Sequence, residues 1–529
     1  MKPETLPPLH GITLVLLTLA LGLGTFMQVL DTSIANVSLP AISGDLAVSP
    51  NQGTWVITSF AVSNAISLAL TGWLSRRFGQ VRLFALSTLL FTLASWLCGL
   101  APTLPLLIAA RVLQGAVAGP MIPLSQALLL ANYPNDKKGL ALALWSITVM
   151  VAPIMGPIMG GWITDNINWP WIFYINIPVG IFSSFLTWRL LRKRESEMAK
   201  LPVDKIGLFL LVIGIGALQI LLDKGNELDW FESKQILVLA IISVVALAFL
   251  IAWELTEDHP IIDLHLFRNR NFLIGGATLS IGYLVFFGNV VILPLWLQTQ
   301  MGYTATWAGL AAAPVGILSI FITPLVGKNM HKVDLRIWAS FSFAVFAGTS
   351  FWNSYFNTDV TFWQLVIPRL VMGFGVAAFF VPLMSLTLSD IPPHLLASAT
   401  GISNFIRILG GSFGTSLSIT LWDRRAAYHH EMLAERVTEF SPSTNNALDT
   451  LGGLEQPLSS GYAMLERSMQ QQAVMLATND IFWLSALMFA GLMLLVWFAR
   501  PKPIGAQNAA PPARTDVEPI DVSTRAKLT

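Results

Sequence analysis

Charge is scarce in this chain. Asp, Glu, Lys and Arg make up 12% of its 529 residues, about half of what a soluble domain carries to cover its surface. A soluble enzyme of this length is therefore excluded on composition. Cysteine is almost missing too: the single Cys98 rules out an intramolecular disulfide and any multi-cysteine metal site, and it reads as a packing residue. Acidic and basic residues nearly cancel, leaving a net charge of +1, so no general affinity for nucleic acid is implied. There is no GxxxxGK[ST] loop for ATP, no nucleophile elbow and no zinc motif. Nothing points to a cofactor, a catalytic group or a metal. The pair His429-His430 lacks the further ligands that a metal site needs.

Apolar residues are what the chain has instead. They account for 54% of it, and the mean hydropathy is +0.64. A membrane helix takes about 20 mostly apolar residues to cross about 30 Å of hydrocarbon. Fourteen runs qualify: 12–33, 54–74, 83–101, 104–131, 140–164, 171–192, 206–222, 235–253, 272–298, 306–327, 337–356, 361–388, 396–421 and 480–499. Backbone groups in lipid must be satisfied within the segment, so these runs are expected to be helices. The first run contains Asp31 and has no cleavage site, so it reads as a retained span.

Basic residues orient the chain. With the N-terminus inside, the short inner segments hold seventeen Lys and Arg, among them Arg76, Arg77, Arg82 and Lys193; the short outer loops hold Lys224 and Lys234 only. The positive-inside rule then places both termini in the cytoplasm. Segment 422–478 becomes an outer, periplasmic excursion with short helical pieces that either seats a partner or is poorly ordered. The Pro/Ala-rich tail 500–529 is expected to be disordered.

A repeat runs through the chain. A shift of 258 residues puts Gly24 on Gly282, Arg111 on Arg369, Gly115 on Gly373 and Gly156 on Gly414, and it sets Asp31 against Asn289. The repeat pairs the first six runs with the last six and leaves two as an insertion. The expected division is 1–11 as an N-terminal cytoplasmic segment, 12–193 as a six-helix half and 194–271 as a linker with two inserted spans. Residues 272–499 form the second six-helix half. Two parallel six-span halves about a midplane site are the plan of major facilitator transporters.

Few polar residues interrupt the spans, and each has two readings. Asp31 is expensive in a membrane, so it is either a proton carrier or half of a structural ion pair. Arg111 stays charged and needs a partner, for which Asp31 is the available buried acid; alternatively it snorkels to the outer headgroups. Its repeat mate Arg369 poses the same choice. Arg407 has no repeat mate and suits either an anionic ligand or a carbonyl-satisfied helix tie. In the fifth span Ala152, Gly156 and Gly160, with Pro157 and Gly161, form a small-residue stripe, expected to seal one half against the other. The inner hairpin carrying Gly72, Arg76, Arg77 and Gly79 reads as a structural turn anchored by its arginines.

Taken together, the Asp31 segment, Arg111-Val-Leu-Gln-Gly115, Gly156-Pro-x-x-Gly160-Gly161 and Trp171-Ile-Phe-x-x-Asn176-x-Pro178-x-Gly180 resemble the fourteen-span drug:proton antiporters of the major facilitator superfamily, in the branch of the Emr-type multidrug export systems. The resemblance covers roughly residues 10–500. It implies an all-α integral membrane protein with the major facilitator fold, fourteen transmembrane helices arranged 6 + 2 + 6, in a bacterial inner membrane. It implies proton-driven export of hydrophobic, often weakly acidic drugs with no cofactor. It further implies an Emr A-like periplasmic membrane-fusion adaptor and a TolC-like outer-membrane channel as partners. Asp31 and Arg111 take the places of the family's first-span acid and fourth-span arginine, and Gly156-Pro157 that of the antiporter motif. Arg76 stands where the wider superfamily has an Asp, so the charge relay assigned to that Asp does not carry over. On this reading Gln28, Asn289, Phe405 and Arg407 would line the substrate path. A scaffold or sensor that recruits a periplasmic partner without transport is the alternative.

Overall fold

The computed structural model describes residues 7–500 apart from 135–136, 200–201, 203, 258–259, 393–394, 436, 439–440, 443, 445 and 447–457. The expectations for the tail after Arg500 and for the middle of 422–478 lie outside the described residues. Within them all regular structure is helical. The first group comprises α1 (Gly11–Asp45), α2 (Pro50–Gly53), α3 (Trp55–Ala69), α4 (Thr71–Phe78), α5 (Gln80–Gly99), α6 (Leu104–Ala118), α7 (Met121–Asn132), α8 (Lys138–Asn166), α9 (Trp171–Tyr174) and α10 (Asn176–Leu191). Next come α11 (Lys205–Lys224) and α12 (Lys234–Glu254). The second group comprises α13 (Arg270–Gln300), α14 (Ala305–Ala312), α15 (Pro314–Asn329), α16 (Leu335–Asn353), α17 (Phe362–Thr387), α18 (Leu396–Ala434) and α19 (Leu458–Leu495).

Polar residues at the helix ends take up first-turn amides that lipid could not. Asp204 accepts from the amides of Ile206 and Gly207 at the head of α11, and Asn269 from Asn271 and Phe272 at that of α13. Thr361 and Gln364 form a reciprocal capping box on α17. Between α4 and α5 the chain turns at Gly79, whose φ of +84° suits a residue without Cβ. Ten described helices are long and apolar enough to cross a bilayer, and α3 with α4, bent by 60°, makes an eleventh candidate. The expected runs at 140–164, 337–356 and 396–421 are also helical, in α8, α16 and α18.

The helix contacts repeat as the sequence does. α1 packs on α8 and α10, and α13 packs on α18 and α19. α3 lies against α6 as α15 lies against α17, and α5 touches α6 and α10 as α16 touches α17 and α19. At the repeat-related glycines the fit is close: a Cβ on Gly115 would meet the Phe60 carbonyl, and one on Gly373 the Val315 carbonyl. α11 and α12 pack on each other, and α11 touches both α3 and α18. The outward faces are apolar, with Val244 68% and Phe321 71% exposed, as a lipid-facing surface requires and a water-facing one does not.

Two expectations change here. In segment 422–478 the expected helical pieces from Arg425 and from Tyr462 are present, but they are not separate: they continue α18 to Ala434 and begin α19 at Leu458. Helical rise carries α18, at 39 residues, to almost 60 Å, about twice the hydrocarbon thickness. Run 480–499 is likewise only the inner part of a 38-residue helix. The apolar signal stops within each helix, but the backbone hydrogen bonding does not.

Candidate functional site

Asp31 lies inside the first helix group and is completely buried. The Arg111 guanidinium reaches it from α6, with Nη1 2.5 Å from Oδ2. Its other oxygen, Oδ1, accepts from Gln114 Nε2 at 3.0 Å and from Asn176 Nδ2 at 2.8 Å. Ser95 on α5 ties the ring together, accepting from Gln114 at 2.8 Å and Asn176 at 3.3 Å. Arg111 also gives Nη1 to Gln114 Oε1 at 2.6 Å and Nε to the Val56 carbonyl at 3.0 Å. Phe60 lies 4.2 Å from the guanidinium carbon, within cation–π reach. A carboxylate has only acceptor sites, and here each partner is a donor. Coulomb attraction in a medium of low dielectric, plus satisfied lone pairs, is what makes such a buried pair tolerable.

The pairing expected of Arg111 is therefore present, and snorkelling is not: Arg111 is 0% exposed. Sequence reading passed over Gln114, Asn176 and Ser95 as members of this cluster. The signal was available for Gln114, three residues from Arg111 and thus on the same helix face. Asn176 and Ser95 come from α10 and α5, and no local spacing announces them. Cys98 sits at the edge, 3.6 Å from Gln114 Oε1.

The other candidates do not gather around Asp31. Asn289 was expected on a substrate path; it is buried instead within the second group, accepting from Ser485 Oγ on α19 at 2.9 Å and facing Ser350 on α16 at 3.5 Å. Its place mirrors that of Asp31, which also turns into its own helix group. Gln28 is buried with Nε2 3.3 Å from Asn64 Oδ1, while its Oε1 has no partner among the described residues. Arg407 is 4% exposed, lies over the Tyr283 and Phe380 rings at 4.6 and 5.3 Å, and donates to Asn404 Oδ1 at 2.8 Å. Asn404 in turn donates to Gln126 Oε1 on α7 at 2.7 Å, joining the two helix groups. Phe405, beside it, is half-buried against the core. Arg369 does not snorkel: it is 3% exposed.

In this conformer the small-residue stripe's described glycines face their own group, although α8 itself also packs on α15 and α17 of the second. Gly156 and Gly160 pack on Ser33 and Ile34 of α1, inside the first group. Ala152 is buried and Gly161 has open space around it; the Pro157 side chain lies outside the described residues. Small residues admit close approach wherever a neighbour stands, and the nearest neighbour is α1. Close contacts between the groups are formed at other residues. Gly72 abuts Ser398, Gly139 abuts Gly327, Thr400 faces the Pro123 carbonyl at 3.4 Å, and Trp145 stacks on Phe380 at 5.4 Å. Thus the inner hairpin is an inter-group contact as well as a turn. Its Arg76 donates to the Pro260 carbonyl at 3.4 Å, Arg77 lies 5.5 Å from the Trp73 ring, and Gly79 abuts Glu195.

His429 and His430 tie α18 to α19, with Nε2 of each 2.8 Å from Asp480 and Glu466 respectively. No cluster that could hold a metal occurs among the described residues.

Residues 21–415 match the family described as Major Facilitator Superfamily. The Multidrug export protein EmrB of Haemophilus influenzae is 51% identical over 95% of this chain and 98% of its own length. The Fatty acid resistance protein FarB of Neisseria gonorrhoeae is 48% identical over 94% of this chain and 98% of its own. Among solved structures, a double-Trp XylE mutant superposes with a TM-score of 0.61 at 14% identity, covering 92% of this chain and 96% of the other. That last likeness speaks to the fold alone.

Proposed function

The chain belongs to the major facilitator superfamily, and from that premise we propose that it is a multidrug exporter in which an inward proton is exchanged for an outward hydrophobic, often weakly acidic compound. It is a multi-span membrane transporter, not an enzyme, and no cofactor is needed if the proton gradient supplies the energy. The relatives named for multidrug export and fatty acid resistance support the substrate class. We assign it to a bacterial inner membrane with both termini cytoplasmic, to fourteen spans in the order 6 + 2 + 6, and to a three-part pump with a periplasmic adaptor and an outer-membrane channel. The recurring helix contacts, with α11 and α12 between the two sets, support that order.

The observation that carries the coupling proposal is the Asp31–Arg111 pair, a carboxylate completely enclosed by donors. In this conformer the pair is closed. The contacts between the groups at Gly72, Gly139, Thr400 and Asn404 lie at the end that the basic residues put in the cytoplasm. Rocking the groups apart there would admit water between them. If that water reaches the cluster, Asp31 would take a proton while water takes over the donors that Arg111 gives it here. Exchange then follows only if proton and drug favour different facing states.

Purified protein in liposomes with an imposed pH gradient tests this. Drug flux in the wild type and none in Asp31→Asn, with the variant still folded, is the expected result. Equal flux in both proteins would remove Asp31 from the coupling step. No flux in either protein, with an adaptor still bound, would favour a scaffold.

A further inference from the structure

The second helix group contains a buried cation for which the first group's solution is missing. Arg369 is the repeat mate of Arg111 and is 3% exposed on α17, a helix packed between α15 and α16. Arg111 spends its donors on Asp31, Gln114 and the Val56 carbonyl. Arg369 has the thioether of Met372, 3.5 Å from Nη1, where Arg111 has the Gln114 amide. Its Nε and Nη2 are buried with no hydrogen-bond partner among the described residues. The position that answers to Asp31 is Asn289, whose carbonyl oxygen is already taken by Ser485.

A thioether is a weak acceptor, and a guanidinium stays protonated inside proteins. An isolated buried charge is far too costly to persist unneutralised. No carboxylate within the described residues pairs with Arg369. Near-complete enclosure limits a counter-ion to a few ångströms. We propose that the second group holds a small monovalent anion of chloride's size against the Arg369 guanidinium. The anion stands where the first group uses its own carboxylate. One half of the transporter would thus be neutralised covalently and the other by a diffusible ion, which makes the second half's stability depend on anion supply. The proposal is independent of the proton-coupling reading and does not require drug transport.

The test is thermal unfolding of the purified full-length protein in detergent, with chloride exchanged for gluconate at constant ionic strength. The wild type should gain about 2–4 °C, saturably, as chloride rises to about 100 mM. Arg369→Gln should show no chloride response. Asn289→Asp, which copies the first group's arrangement, should be flat in chloride and already as stable in gluconate as the wild type in chloride. The second variant decides the matter if Arg369→Gln does not fold. A wild type equally stable in both salts, or a full chloride response surviving in Asn289→Asp, would overturn the proposal.

Discussion

Asp31 and Arg111 stand 2.5 Å apart, with side chains 0% and 1% exposed, so each is the other's condition for being in the membrane. Removing either partner alone leaves a buried group uncompensated. Asp31→Asn and Arg111→Gln should each cost about 3–5 kcal/mol, whereas the double variant should cost much less than the two together. Unfolding of the three variants in detergent measures this. Strictly additive losses would mean that the two residues act through other partners.

The contact of α8 with α15 at Gly139 and Gly327 holds the groups together at that end, because each glycine lies against the other's backbone. A leucine at position 139 should force these helices apart. Thr400, 0% exposed, then becomes the reporter. In a Thr400→Cys protein, an aqueous maleimide should react slowly, and Gly139→Leu should raise the rate by about tenfold, which corresponds to roughly 1.4 kcal/mol in favour of the open state. The single natural cysteine, Cys98, is buried and leaves a quiet background.

Asp480 collects two partners from α18, Arg425 Nε at 2.6 Å and His429 Nε2 at 2.8 Å. Exposed ion pairs contribute about 1 kcal/mol or less, so Asp480→Ala should leave global unfolding almost unchanged. It should loosen the projecting ends of α18 and α19 locally. Faster hydrogen exchange over residues 425–434 and 458–480, with flux in liposomes intact, is the expected pattern; exchange unchanged in that region would show that apolar packing alone holds the hairpin.

Asp334 offers a pH test away from the membrane interior. Its carboxylate caps α16 through the Arg336 amide at 2.8 Å and takes the Arg336 side chain at 2.7 Å. Those bonds, the side-chain one foremost, hold its pKa below the ordinary 3.8. A depressed acid stabilises the fold above the unfolded-state pKa, and the gain disappears as pH falls through the lower folded-state value. Wild type and Asp334→Asn should therefore differ in melting temperature at neutral pH, and the gap should shrink on acidification below about pH 4. A gap independent of pH would point to the helix cap geometry rather than the charge.

The class of protein, the helices and the repeat were legible because they rest on period and composition. Hydrocarbon rejects charge and demands internally satisfied backbone, so apolar runs of sufficient length write themselves into the sequence. The Asp31–Arg111 pair was legible for a related reason: two rare opposite charges buried in lipid have almost no one else to meet. The same logic reached its limit at α18 and α19, where the helix continues into water and hydropathy falls silent.

What the chain alone could not give is which surface each polar residue faces. Asn289 and the Gly156 stripe were expected between the halves and turn inward instead, because a helix in a bundle has several neighbours and its sequence does not say which one is near. The Asn404–Gln126 link joins residues 278 positions apart, and no local pattern records such a distance. The isolation of Arg369 was hidden for the same reason. The repeat gives Arg369 a place equivalent to that of Arg111, but only packing in three dimensions shows that its neighbours among the described residues leave a buried positive charge without a carboxylate.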